Sequence, residues 1–379
     1  MSEQLEQQLI SWRRELHQYP ELSNKEFATT ERITGWLKGL GLTPLPYSLK
    51  TGVVVEIGHG EKCIALRADI DALPIEEIAP VPFASQHRGV MHACGHDVHT
   101  SVMLGAATLL KAREASLPGR VRILFQPAEE CFTGAQALID AGVLAGVQAI
   151  FGMHNAPELP TGTLATRGGA FYANVDRFVI RVNGRGAHAA RPQEGVDAIV
   201  IASQIVGALQ TLPSRRYSPL ESVVVSVTRI AGGTTWNVLP QQVELEGTVR
   251  THNNAIREGI ADNIRQLIHG IATASGGAAE LLWSPGPPAL VNTPHWATFS
   301  QQLAQEVGYQ LVETPPQMGG EDFALYLHHV PGAFVSIGSA SHDGLHHPGF
   351  NPDERLIAPA ARYFSQLAEH ALNSLPLPQ

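Results

Sequence analysis

The sequence lacks any apolar run of the roughly 18 residues that a bilayer-spanning helix needs, so no such helix is expected. It also lacks a long basic run, and its formal net charge is −9 at pH 7. Together these argue against nucleic acid or an anionic membrane as partners. Cysteine is scarce: Cys63, Cys94 and Cys131 are too few for a disulfide scaffold, and an odd count suits a reducing compartment. The segment MSEQLEQQLISWRRELHQYPEL has no charged-then-apolar signal pattern. Its Leu5, Leu9, Ile10, Trp12 and Leu16 recur at helical spacing, so a folded amphipathic helix in a cytoplasmic protein is expected. No HExxH, no GxSxG elbow, no P-loop, no internal repeat and no low-complexity segment occurs. Aromatics make up only 6%.

What is present is ordinary for a soluble globular enzyme: 44% hydrophobic and 16% charged residues over 379 positions. That length exceeds what one core usually supports, so two domains are expected. The 17 histidines invite a search for metal ligands.

Short β-branched runs alternate with helical stretches from about residue 50. VVVEIG, KCIALRAD (62–69), VRILFQP (121–127) and VQAIFGMH (147–154) read as strands, with helices over 98–114 and AQALIDAGVL between them. This order predicts an α/β fold with a doubly wound, mostly parallel sheet, whose ligands gather beyond the carboxyl ends of the strands. The rhythm changes near residue 175. RFVIRVNG, the helix in DAIVIASQIVGALQTL, SVVVSVTRI, VELEGTVRT, a helix from Ile256 to Ala274 and AELLWS give β-α-β-β-α-β, a complete small α/β unit. A helix from His295, the strand AFVSIGS and a closing helix from Ala358 resume the larger domain. The expected division is therefore 1–175 with 292–379 as one discontinuous domain, and 176–291 as an insertion.

Five clusters carry candidate chemistry, each placed just after a predicted strand. MHACGHDVHT (91–100) sets the Cys94 thiol and the His96 imidazole around Gly95, good donors for a borderline-soft divalent metal. Alone it is equally well a polar loop. QPAEE (126–130) exposes Glu129 beside Glu130; adjacent carboxylates repel, which suits a cation or two distinct roles. Alone, a solvated pair opening the next helix is the simpler account. GMH (152–154) ends an apolar strand with His154, LHHP (345–348) offers His346 and His347 in a loop, and RADIDALP (67–74) sets Asp69 and Asp71 on one side. A hydrogen-bonded histidine or a loop-capping carboxylate would explain each one separately. Five such clusters at strand ends of one sheet point jointly to a metal site. NGRGAHAA (183–190) mimics a dinucleotide fingerprint but opens the small insertion, with no suitably placed acidic residue after a second strand. A Cys94–His nucleophilic pair is a further alternative, which the downstream Glu-Glu pair disfavours.

RADIDALP, MHACGHD, QPAEE, GMH, NGRGAHAA with the following P-x-x-G-x-D, NVLP, GTVRT, GGEDF and LHHPGFNPDE occur in the order of the M20 metallopeptidase superfamily, over nearly the whole chain. The sequence resembles its amidohydrolase branch, which contains hippurate hydrolases, N-acetyldiaminopimelate deacetylases and plant auxin-conjugate hydrolases. The resemblance implies Cys94, His96, Glu130, His154 and His347 as ligands of one or two divalent ions (manganese, zinc, cobalt or nickel). It implies Glu129 as general base, Asp71 as an orienting carboxylate, and His188 as the residue that steadies the oxyanion across a homodimer. Asn237, Arg250 and Glu321 are implied at the substrate, with Asp322 beside them in the GGEDF loop. The inserted domain is implied to be a lid or dimerisation domain of a homodimer or homotetramer. The implied reaction is hydrolysis of an N-acyl amino acid, N-acetyl or N-aroyl, to a carboxylate and a free amino acid. A metallo-dipeptidase and a non-catalytic binding homologue are the rival readings. One departure is Gln193, where many relatives carry a histidine.

Overall fold

The computed structural model describes residues 1–377. The chain divides into two compact units: Met1–Gly169 with Val291–Pro315 and Asp322–Gln379, and Ala170–Leu290 with Pro316–Glu321.

The first unit is built on a seven-stranded sheet in the order Val53–Gly58, Arg120–Gln126, Cys63–Asp69, Ala149–Ala156, Gly332–Gly338, Thr163–Ala165, Gln310–Leu311. Cys63–Asp69 runs parallel to both of its neighbours, and Gly332–Gly338 runs parallel to Ala149–Ala156. Val53–Gly58 is antiparallel to its neighbour, as is Thr163–Ala165 to Gly332–Gly338. The mostly parallel α/β reading therefore holds. Cys63–Asp69 and Gly332–Gly338 are buried at every position, the signature of strands covered on both faces. The helix predicted over 98–114 spans His96–Lys111, so it begins on His96 itself. It packs against the helices Glu3–Gln18 and Ile357–Ser374 and is buried almost all round. Gly105 permits this approach, since a Cβ there would lie 2.6 Å from Ala361 Cβ and 2.7 Å from Leu9 Cδ1.

The expected amphipathic helix, Glu3–Gln18, is held by charge as well as by its apolar face. Buried Arg13 pairs with Asp97 at 2.8 Å and Glu354 at 3.1 Å, and His17 lies 2.9 Å from both Asp97 and Glu77. Asp97 thereby ties the residue next to His96 to the N-terminal helix. No helix among the described residues is long and apolar enough to cross a membrane.

The second unit has a four-stranded antiparallel sheet in the order Ala278–Pro285, Asp176–Asn183, Gln242–Thr251, Val223–Gly232. Val243, Leu245 and Val249 alternate inward along Gln242–Thr251. The helix Asn254–Ala274 sets Ile256, Ile260, Ile264 and Ile268 on one buried stripe, and Asn253 caps it by accepting the amides of Ala255 and Ile256. Residues 316–321, expected in the large domain, join this unit instead through backbone pairing. Gln317 N–H donates to Phe171 O, and Ala173 N–H donates to Gly319 O.

Candidate metal centre

Three segments of the first unit converge around His96. Gly95 takes φ +85° and caps the helix start; a side chain there would press a Cβ to 2.3 Å from Asn155 Nδ2. A glycine is therefore required for the turn that aims Cys94 and His96 the same way. The cluster thus arrives at a helix start and not, as expected, straight from a strand end. Asp71, two residues past Cys63–Asp69, fixes the ring: His96 Nδ1–H donates to Asp71 Oδ1 at 3.2 Å. The other Asp71 oxygen accepts from Ser23 Oγ at 2.7 Å and from the Glu130 amide at 3.0 Å. Burial raises the Asp71 pKa, but these donors outweigh it and hold the carboxyl below its usual range. One carboxylate thus orients both an imidazole and the Glu-Glu turn.

That turn is not the start of a helix, which begins only at Gly134. Ala128 sits at φ +54° and Phe132 at φ +59°, both in the left-handed region. The Ala128 amide donates to Glu26 Oε1 at 2.8 Å, which stabilises the elbow. It delivers two carboxylates to the same imidazole: Glu129 Oε2 and Glu130 Oε1 lie 3.9 and 3.8 Å from His96 Nε2. His154 lies inside its strand, Ala149–Ala156, not beyond its end. Its Nδ1–H donates to the Asn155 carbonyl at 2.7 Å, which leaves Nε2 facing Cys94 Sγ at 3.3 Å. Both rings therefore spend Nδ1 on the protein and present Nε2.

The LHHP loop requires a correction. His346, not His347, faces this cluster. His346 Nε2 lies 3.4 Å from Glu130 Oε1, and its amide donates to Ala93 O at 2.8 Å. His347 turns to its own loop, where Nδ1 accepts the Gly349 amide at 3.0 Å and lies 3.6 Å from Asp343. The cause is the backbone: His346 takes φ +64°, so the direction of successive side chains does not follow simple alternation. In metal-loaded protein, His346→Ala is expected to lower the bound metal per chain, while His347→Ala retains it. Elemental analysis after gel filtration checks this, and equal losses in both variants would contradict the assignment.

Cys94, His96 and His154 bring one ligand atom each within 4.8 Å of one another, and so do Cys94, Glu130 and His346, and His96, Glu129 and Glu130. Asp69, His96 and His99 are equally close. Both nitrogens of His99 are already committed, however: Nδ1–H to Asp69 at 2.6 Å and Nε2 to the Asn155 amide at 2.9 Å.

The remaining candidates belong to the second unit. His188 is exposed on the short strand Ala187–His188, in register with Val238, and its Nδ1 accepts the Ala190 amide at 3.1 Å. Asn237 adjoins it, its carbonyl accepting the Ala189 amide. Arg250 donates to Thr248 Oγ1 at 3.0 Å and to the Met318 carbonyl at 3.1 Å. Glu321 closes the 316–321 segment of the same unit. Asp322 lies in the first unit, fully buried.

The family model for peptidase family M20/M25/M40 matches residues 65–370. The chain belongs to this family. It is 46% identical over 371 residues to an N-acetylcysteine deacetylase from Bacillus subtilis, covering 97% of each chain. It is 36% identical over 368 residues to an N-acetyldiaminopimelate deacetylase from Leuconostoc mesenteroides, covering 93% of this chain and 94% of the relative. Among solved structures it superposes with a TM-score of 0.89 on a Bacillus subtilis dinuclear metal binding peptidase of the M20 family. Identity there is 43%, with 99% of this chain and 100% of the other covered. The M20 chain is thus a hydrolase.

The donor chemistry fits a divalent ion. His96 Nε2 is buried without a hydrogen-bond partner, yet Asp69, Glu129 and Glu130 oxygens surround it at 3.7–3.9 Å. A thiol, imidazoles and carboxylates around such a point suit a borderline metal. Proton linkage follows. Burial lowers the His96 pKa, but Asp69, Asp71 and Glu130 outweigh it and bring it up to about 10. Burial, with Glu130 and Glu129 adding, pushes the Cys94 thiol well above its usual range. Without metal both groups carry protons at pH 7, so metal uptake displaces them and apparent affinity rises with pH. Calorimetry in buffers of different ionisation enthalpy should give different heats; identical heats would contradict the linkage.

Several supporting residues lie within the motifs, but their bonds to one another could not be read from them. Arg67 is fully buried and donates to Gln126 Oε1 at 2.9 Å, Asp69 Oδ2 at 2.7 Å and Asp322 Oδ1 at 2.8 Å. Asp322 also accepts from Gln126 Nε2 at 2.9 Å and from the Ala135 amide at 3.0 Å. Asp69, held on one oxygen by Arg67, uses the other to orient His99.

Proposed function

We propose that this M20 hydrolase cleaves the amide bond of N-acyl amino acids, N-acetyl or N-aroyl, to give a carboxylate and a free amino acid. Cys94, His96, Glu130, His154 and His346 would hold one or two divalent ions: manganese, zinc, cobalt or nickel. A bound ion supplies a Lewis acid for the substrate carbonyl and lowers the pKa of nearby water. The observation that carries the reading is the division of labour in the Glu-Glu turn. Glu130 Oε1 lies between two imidazoles, 3.4 Å from His346 and 3.8 Å from His96 Nε2, while the Glu129 carboxylate stands 3.9 Å from His96 Nε2. Glu129 takes the proton of the attacking water and returns it to the departing amine nitrogen. His96 and His154 are each oriented by a hydrogen bond at Nδ1.

In the second unit we assign His188 to the developing oxyanion and Asn237, Arg250 and Glu321 to the substrate, with the unit serving as lid or dimerisation domain of a homodimer. Cys63, Cys94 and Cys131 are free thiols, which is in keeping with a cytoplasmic enzyme. The two deacetylase relatives support N-acetyl amino acids as the first substrates to try. The test is a panel of N-acetyl and N-benzoyl amino acids and dipeptides, assayed after loading metal-free protein with each of the four ions. Preference for N-acyl amino acids is expected. Preference for dipeptides would replace the acyl reading, and activity indifferent to chelators but lost on alkylation would sink the metal reading.

A further inference from the structure

Asn155 lies at a crossing of bonds that no motif accounts for. It sits near the end of the strand Ala149–Ala156, next to His154, and is buried. Its backbone carbonyl accepts His154 Nδ1–H at 2.7 Å. Its backbone amide donates to His99 Nε2 at 2.9 Å, which is possible because Asp69 takes the Nδ1–H of that ring. Its side-chain Nδ2 donates to the Cys94 carbonyl at 2.6 Å and lies 3.0 Å from His99 Nε2, and its Oδ1 accepts from Ser339 Oγ at 3.1 Å. The amide reaches Cys94 only because Gly95 has no Cβ: one built there would stand 2.3 Å from Nδ2. Every polar atom of Asn155 is therefore used, and two of them act on residues of the candidate metal centre.

The geometry joins two segments distant in sequence. The Cys94 turn enters from a loop and the His154 imidazole from a sheet strand, and the two present Sγ and Nε2 only 3.3 Å apart. The Gly95 turn aims the thiol and the Nδ1 bond aims the imidazole, but neither ties one segment to the other. One short hydrogen bond from the strand residue to the Cys94 carbonyl links them. We propose that Asn155 is a positioning residue of the metal centre, fixing the Cys94 thiol against the His154 imidazole through its side-chain amide and its own carbonyl. The inference rests on the metal reading above and goes beyond it, because Asn155 offers the ion no atom of its own.

Cobalt(II) titration of metal-free protein tests it, since a cobalt–thiolate bond has its own charge-transfer absorption and does not depend on turnover. Asn155→Leu keeps the shape and removes the amide. It is expected to weaken that absorption and lower cobalt affinity by roughly 10–100-fold, as loss of an outer hydrogen-bond partner does at other metal sites. Ser339→Ala, which removes only the bond to Oδ1, serves as the control and should keep the wild-type spectrum and affinity. If Asn155→Leu does not fold, Asn155→Ser, too short to reach Cys94 O, carries the same expectation. An unchanged spectrum and affinity in the folded variant overturns the inference. A wild-type protein that binds no cobalt would instead overturn the metal reading itself, so the two failures are distinguishable.

Discussion

Glu129→Gln is expected to lower kcat by roughly 10²–10⁴-fold, the usual contribution of a positioned general base, with bound metal and KM nearly unchanged. Glutamine keeps the volume and the hydrogen-bonding reach of glutamate but cannot accept a proton at neutral pH. Glu129 is almost fully buried, and the φ +54° elbow at Ala128 sets its direction, so a variant side chain has little freedom to relocate. If Glu129 were instead an indispensable ligand, metal content would fall with activity. If it were only a surface carboxylate, activity would persist. Parallel measurement of kcat and metal content separates the three outcomes. Substitution of Glu130, beside His346, is expected to behave in the opposite way and lose metal first.

Arg67→Met is expected to destabilise the protein by about 3–5 kcal/mol, because it removes the cation from a fully buried group and leaves carboxylates uncompensated. Asp69 and Asp322 both accept from the Arg67 guanidinium, and all three side chains are buried. A pH effect accompanies this loss. Burial raises the Asp69 pKa, but His96, His99 and Arg67 outweigh it and hold it well below the usual carboxylate range. Its folded value is thus depressed, so its contribution is full above the unfolded value of about 4 and is lost as pH falls through the folded value. Without Arg67 the folded value rises, and acid unfolding should begin at higher pH. Urea unfolding across pH measures both effects. Adding Asp322→Leu to Arg67→Met should recover part of the loss, since the pair then leaves one fewer stranded charge. Additive losses would mean that Arg67 acts through packing alone.

The residues that carry recognisable chemistry are legible in the chain alone. Cys94 and His96 around a glycine, the Glu129–Glu130 pair and His154 at an apolar strand all declare donor chemistry, and strand-helix alternation places them in the unit built on one sheet. The fold brings these five side chains together. The supporting residues are not legible in this way, and the reason is physical. Arg67 and Asp322 are separated by 255 positions, and nothing in the local sequence of either announces the other. His99 sits one helical turn beyond His96 and looks equally fit to bind metal; only the hydrogen bonds on both of its ring nitrogens remove it from the candidates. Within the second unit, 316–321 joins by backbone pairing, which leaves no pattern in side-chain type.

By itself the sequence determined the alternation that builds a mostly parallel sheet, the isoleucine stripe of Asn254–Ala274, and which donor types exist in which loops. These follow from period and residue chemistry, which act over a few neighbouring positions. Tertiary structure alone decided between His346 and His347, the orientation of both ring nitrogens at His96 and His154, and the bond from Asn155 to Cys94. Those choices depend on a left-handed backbone angle and on partners brought close by the fold, and neither is encoded in spacing along the chain.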